Sequence, residues 1–152
     1  MNKIDPKNTI LIAAGGTGGH IFPSLSIINE IKVGNLDSLR TYSDVRDAVR
    51  AYHMMLTVEP EIGAYYNIGG SHVCKISDVL NTLLDKSTKK NISIQIDPER
   101  IRPIDADLQV PDTKKFSQHV GWKPKYSFDQ TMNDLLEYWR NRIKSGEIFL
   151  SR

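Results

Sequence analysis

The chain has 152 residues and a mass of 17.2 kDa, enough for one domain with a real core and short for a complete two-domain enzyme. Lys+Arg 20 against Asp+Glu 18 gives a formal charge of +2 without a basic run that could follow a nucleic-acid backbone, so nucleic-acid binding is not favoured. The one cysteine, Cys74, permits no internal disulfide and lacks the companions of a zinc cluster, so no metal site is expected and a reducing cytoplasm fits best.

The longest apolar run, Ile10 to Ala14, is far too short to span a bilayer, and Met1 to Lys7 carries acid and proline, unlike an export signal. A cytoplasmic protein without a membrane span is expected. Thr9 to Ala14 (TILIAA) is an apolar run that ends in glycines, the usual form of a buried parallel strand. Gly15, Gly16, Thr17, Gly18, Gly19 and His20 follow. Pro23 and the apolar-periodic Leu25, Ile27, Ile28 and Ile31 then predict a helix. In a strand, glycine turn and helix of this kind, main-chain N–H groups and the positive helix start favour a phosphate, which makes Gly16, Thr17, Gly18 and Gly19 phosphate-loop candidates. A tight turn with no ligand fits the same glycines. The loop is neither a G-x-G-x-x-G fingerprint nor a Walker A sequence.

From Glu30 the pattern changes. A short extended run turns through Gly34, Asn35 and Asp37 into a second extended piece at Arg40 to Tyr42, and Ser43 is the predicted cap of a helix. Val45, Val49, Tyr52 and Met55, with Ala48 and Leu56, share one face of that helix, while Asp44, Arg46, Asp47 and Arg50 mark the other. Ala64 to Ile68 reads as a compact strand stopped by Gly69 and Gly70. Ser77 is the predicted cap of a helix with Val79, Leu80, Leu83 and Leu84 on its apolar face, and Ile92 to Ile96 alternates as a half-buried strand.

That strand delivers the segment Asp97 to Asp112 (DPERIRPIDADLQVPD), in which Pro98, Pro103 and Pro111 exclude a helix interior and stiffen the chain. The fork of donors on Arg102 suits paired phosphate oxygens, and Asp105 offers acceptors to ribose hydroxyls. A local Arg and Asp ion pair on a solvated loop is the alternative. Beyond it, Asp112 caps a short helix through Phe116 and Val120, closed by Gly121. Ser127 with Gln130 then opens a helix carrying Met132, Leu135, Leu136 and Trp139 inward and Arg140, Asn141 and Lys144 outward.

Two resemblances go further. AAGGTGGHIFPSLSI resembles the N-terminus of the MurG glycosyltransferases, which transfer N-acetylglucosamine from a UDP-sugar to a lipid-linked precursor. That likeness covers about residues 8–29; it implies that Thr17, Gly18 and Gly19 contact a sugar nucleotide and that His20 sits at the reaction centre. VGNLDSLRTYSDVRDAVRAY, YYNIGG, DPERIRPIDADLQVPDTKKF and GWKPKYSFDQTMNDLLEYWR, over roughly residues 31–144, closely resemble the C-terminal part of the GDP-mannose 4,6-dehydratases, lyases of the extended short-chain dehydrogenase/reductase class. Neighbouring reductases of that class share much of the pattern.

The second resemblance implies substrate-binding roles for Arg40 and Arg102 at the nucleotide and its diphosphate, for Asp105 at the ribose, and for Gly34 and Asn35 in shaping the adjoining loop. The family's NADP lobe has no counterpart. The first strand is not followed by a G-x-x-G-x-x-G turn, and Tyr65, Tyr66, Tyr126 and Tyr138 are followed four residues on by Gly69, Gly70, Gln130 and Arg142 rather than by lysine. The expected protein is therefore an α/β chimera of one folded unit. Residues 1–30 form a glycosyltransferase-like segment, and residues 31–152 an incomplete Rossmann-like lobe with a small mixed sheet and covering helices. It is expected to bind GDP-mannose or GDP, to hold no cofactor, and to be inactive alone. The alternatives are a structural or self-associating protein, such as a homodimer, that binds no ligand, and a remnant of a UDP-N-acetylglucosamine transferase.

Overall fold

The computed structural model describes residues 30–58, 61–101 and 107–145. The predicted strand, glycine loop and helix of the N-terminal segment lie outside the described residues. Within them, strands β1 (Glu30–Val33), β2 (Leu39–Tyr42), β3 (His72–Lys75), β4 (Ser93–Ile96) and β5 (Leu108–Gln109) alternate with helices α1 (Val45–Thr57), α2 (Ile76–Asp85), α3 (Lys114–Val120) and α4 (Phe128–Lys144). β1 pairs with β4 in parallel as a two-stranded sheet. In a second sheet β2 is central, antiparallel to β3 and parallel to β5. The small mixed α/β architecture is the one expected, divided between two short sheets. Ile31, also predicted at a helix end, is a buried strand residue.

Two apolar clusters form the core. The first joins Ile31 of β1 to Val79, Leu80 and Leu83 of α2 and Met132 and Leu136 of α4. In the second, Ala51 of α1 meets Phe116 and Val120 of α3 and Trp122, with Tyr66 and Ile68 packed against them. Gly121 ends α3 at φ +67°, a conformation with little steric cost only for glycine. Ser127 Oγ accepts from Gln130 N–H at 3.1 Å, as its predicted cap role requires.

Several expectations are corrected. The cap of α1 is Asp44, whose carboxylate accepts from Arg46 N–H at 2.8 Å, rather than Ser43. α2 starts one residue before Ser77, at a Lys75 cap whose N–H donates to Asp78 Oδ2 at 3.0 Å. Thr113 takes the cap position of α3, although Asp112 Oδ1 still accepts from Lys114 N–H at 2.9 Å. β4 is exposed along its length rather than half-buried, because β1 is its one strand partner among the described residues. Arg140 turns back to donate to the Lys86 carbonyl at 2.9 Å instead of pointing into solvent.

The largest departure is in α1. Its predicted apolar stripe faces out, with Leu56 85% exposed and Val45, Val49 and Tyr52 exposed beside it, while Asp47 is 1% exposed. Asp47 is stable there because every nearby donor converges on it: Arg50 Nη2 at 2.7 Å, Lys125 N–H at 2.9 and 3.0 Å, and Tyr126 N–H at 3.0 Å. Burial alone would raise its pKa, but the Arg50 guanidinium and the Tyr126 and Lys125 amides outweigh that and lower it. Asp44 is held the same way, by Arg46 Nε and Nη2 and by the Thr131 hydroxyl, each at 2.8 Å.

Replacing Asp47 with Ala breaks the ion pair with Arg50, which keeps the Lys123 carbonyl, and takes the carboxylate acceptor from the Lys125 and Tyr126 amides. The expected loss is about 3 kcal/mol or more, read as a lower urea midpoint at unchanged slope. A change under ~1 kcal/mol would show that the carboxylate is not what holds α1.

The hydrogen bond from Arg46 chiefly lowers the pKa of Asp44 from 3.8 to about 2. Its stabilisation, on the order of 2 kcal/mol, is therefore complete above about pH 4 and lost as pH falls toward 2. Asp44→Asn should flatten this acid limb of the urea-midpoint profile, and an unchanged limb would contradict the assignment.

Candidate functional site

Of the sequence-predicted binding residues, Gly34, Asn35 and Arg40 are among the described residues, in the turn after β1 and in β2. After β1 the chain turns at Gly34 and Asn35. Asn35 Oδ1 accepts from Asp37 N–H at 2.9 Å, and its amide donates to the buried Ser38 hydroxyl at 2.8 Å, which fixes the turn. Gly34 is required because a Cβ there would lie 2.6 Å from the Arg100 carbonyl oxygen. The close approach is locked by Asp97 N–H, which donates to the Val33 carbonyl at 2.8 Å.

Asp97 begins a single 3-10 turn, Pro98–Arg100, and its carboxylate pairs with Arg100 Nε at 3.2 Å. Arg102 and Asp105 lie outside the described residues, and so does the ion pair that is the alternative for them. The two ends of residues 102–106 are nevertheless both fixed: Ile101 follows the turn held against Gly34, and the Asp107 carbonyl accepts from Leu39 N–H at 2.8 Å where β5 starts. The Arg102 Cα is one peptide, about 3.8 Å, from that of Ile101. Arg40, half-buried in β2, lies opposite Gln109 of β5 and Cys74 of β3, and its Nη1 donates to the Leu39 carbonyl at 3.1 Å. Gly34 thus lies against the turn that precedes residues 102–106, and Arg40 lies on the strand that holds Asp107 after them.

A second feature went unread in the sequence. At the far end of β2 a cleft of about 230 Å3 opens between Tyr42, His72 and Phe128, with Asp44 and Tyr126 on its wall. The His72 ring stacks on Phe128 at 4.0 Å, and Tyr42 meets Phe128 edge-on at 5.8 Å. No motif signals the cleft, because its rings come from three distant stretches. Gly70 admits the close chain crossing there, since a Cβ would fall 1.6 Å from the Tyr42 carbonyl oxygen.

The reactive groups are quiet. Burial pushes the Tyr42 hydroxyl up to about 12 and also raises the Cys74 thiol, so neither supplies a nucleophile at neutral pH. The Tyr66 hydroxyl pairs with His119 Nδ1 at 3.0 Å, and Arg142 Nη1 donates to the Tyr138 hydroxyl at 2.7 Å. Lys115 lies 5.0 Å from the ring centres of Tyr65 and Tyr66, over their faces. Among the described residues no cluster of His, Cys, Asp or Glu suits a metal ion. No helix among them is long and apolar enough to cross a membrane. His20 and the loop Gly15 to Gly19 lie outside the described residues.

Residues 25–135 match the family model of GDP-mannose 4,6 dehydratase. The chain belongs to that family. It is 28% identical over 116 residues to the GDP-6-deoxy-D-mannose reductase of Pseudomonas aeruginosa, a match spanning 76% of this chain and 38% of the relative. It is 36% identical over 124 residues to the dTDP-glucose 4,6-dehydratase of Salmonella typhimurium, spanning 74% of this chain and 34% of that one. The fold is similar to the RMD protein of Pseudomonas aeruginosa solved with NADPH, at a TM-score of 0.67 and 26% identity over 75% of this chain and 37% of that structure. The chain thus spans little more than a third of the length of the relatives it matches. The match includes all residues from Gly34 to Gln109.

Gly34→Ala should cost about 1–3 kcal/mol, because the Arg100 carbonyl must move to admit the methyl group. It should also speed proteolytic cleavage between residues 97 and 107. Wild-type stability and cleavage in this variant would mean that the turn and the loop are not tightly joined.

Proposed function

We propose that this chain is a nucleotide-sugar-binding lobe of the GDP-mannose type, derived from a dehydratase and without catalysis of its own. The supporting observation is the double anchoring of residues 102–106 onto the segment that carries Gly34, Asn35 and Arg40. In this reading Arg40 and Arg102 grip the two phosphates of the ligand, and the Asp105 carboxylate accepts from ribose hydroxyls. Asn35 acts indirectly, through the turn it stabilises. Fixed ends at Ile101 and Asp107 limit the entropy lost on binding, which favours recognition by side chains that would be weak on a free segment.

Relatives named as acting on GDP-6-deoxy-D-mannose and dTDP-glucose support a nucleotide sugar as the ligand class. A bound nicotinamide supplies hydride transfer, and a tyrosine with a depressed pKa must then move protons. The described residues do not fit that proton chemistry. Tyr42 is shifted upward, while the hydroxyls of Tyr66 and Tyr138 pair with His119 and Arg142 rather than with a lysine. No catalytic step is assigned to this chain. Its division into a MurG-like segment of about residues 1–30 and a dehydratase-derived remainder forming one folded unit is part of the same proposal. The start of the family match at residue 25 favours a join near there.

The outward apolar stripe of α1 favours a second reading, an interaction protein that uses this face and binds no nucleotide. Calorimetric titration separates the two. GDP-mannose and GDP should give heat that falls at least tenfold in affinity in Arg40→Ala and Arg102→Ala, and UDP-N-acetylglucosamine should give none. Silence with all three ligands would leave the interaction reading, and heat with the UDP-sugar alone would favour a glycosyltransferase remnant.

A further inference from the structure

The cleft at the end of β2 shares a sheet face with Arg40. Arg40 and Tyr42 are two residues apart on one strand, so their side chains leave the same side of the sheet from Cα atoms about 7 Å apart. The antiparallel register extends that face, setting Cys74 opposite Arg40 and His72 opposite Tyr42. The two side chains also feel each other: burial dominates the raised pKa of the Tyr42 hydroxyl, and the Arg40 guanidinium works against it.

The cleft's own chemistry narrows what it suits. His72 is exposed and stacks on Phe128 at 4.0 Å with 13° between the ring planes. No further ring can enter between them, so the pair offers an apolar platform rather than a slot. Ser43, Ser71 and Ser127, all exposed, bring hydroxyls to the same cleft. The two acids on its wall, Asp44 and Asp47, are paired with Arg46 and Arg50 at 2.8 and 2.7 Å. A space of about 230 Å3 with a flat apolar side, hydroxyls and neutralised carboxylates matches a pyranose, which presents C–H groups on one ring face and hydroxyls around its edge.

We infer that this cleft receives the hexose of the nucleotide sugar, its ring against His72 and Tyr42 and its hydroxyls bonded to those of the serines. The inference rests on the nucleotide-sugar reading, which puts a phosphate at Arg40. In a nucleoside diphosphate sugar the hexose is joined directly to the terminal phosphate, whereas the ribose separates the base from the diphosphate. The short step along β2 from Arg40 to Tyr42 therefore leads to the hexose and not to the base.

Calorimetric titration of the full chain with GDP-mannose and GDP tests this through the ratio of their affinities. GDP-mannose should bind roughly tenfold or more tightly than GDP, the yield of one or two well-made hydrogen bonds. His72→Ala should reduce that preference to about threefold or less, whereas Arg40→Ala should weaken both ligands together. Equal affinities in the natural chain, or a preference that His72→Ala leaves whole, would overturn the inference. If neither ligand binds, the nucleotide-sugar reading fails and α-D-mannose 1-phosphate still decides the cleft. In amide-resolved NMR it should shift the Ser71, His72 and Tyr126 signals, and unmoved signals there overturn the assignment. Guanosine moving the same three amides would put the base in the cleft and overturn it equally.

Discussion

Two buried carboxylates, Asp44 and Asp47, join the parts of this fold. Asp47 accepts four short contacts from Arg50, Lys125 and Tyr126, and Asp44 both starts α1 and binds Thr131 of α4. Arg46 extends the same junction, bonding Asp134 at 2.6 Å and lying 3.7 Å over the Tyr126 ring. These bonds connect α1, which belongs to the second apolar cluster, to the start of α4, which belongs to the first. Buried charge is costly unless fully paired, and here the pairing is made chiefly by main-chain amides and arginines. The junction also sets the position of β2, because Asp44 follows that strand after one intervening residue.

From β2 the candidate ligand surface follows. The strand carries Arg40 near its start and Tyr42 at its end, so that this arginine and the aromatic cleft lie two residues apart on one strand. The turn at Gly34 and the ladder between β2 and β5 then fix the proline-rich span on both sides. Hydrogen bonds from β1 and β2 therefore hold Asp97 and Asp107, on either side of residues 102–106. Membership of the GDP-mannose 4,6 dehydratase family gives this arrangement a chemical setting, and the match covers little more than a third of each relative.

The surfaces left open have a common form. α1 turns Val45, Val49, Tyr52 and Leu56 outward, and Ala64–Ile68 has no strand partner among the described residues. Both flank the second cluster, whose buried members Ala51, Phe116, Val120 and Trp122 are few. A core this small gains from any further apolar cover, since burial stabilises by about 25 cal/mol per Å2.

The sequence by itself determined the family, the order of the four helices and of β1, β2 and β4, though not β3 or β5, the glycine and serine that bound α3 and α4, and the inward apolar residues of α2 and α4. These follow from local periodicity and capping, which need only neighbouring residues. It also determined that Gly34 and Arg40 lie in a turn and a strand ahead of the first long helix. Tertiary structure alone decided which face of α1 is buried. Periodicity marks where apolar side chains lie on a helix, whereas the orientation depends on amides from residues 125 and 126 that reach Asp47 only after folding. It likewise decided that Ala64–Ile68 joins no ladder among the described residues and that β4 is exposed, because strand pairing is a property of two segments and a sequence pattern describes one.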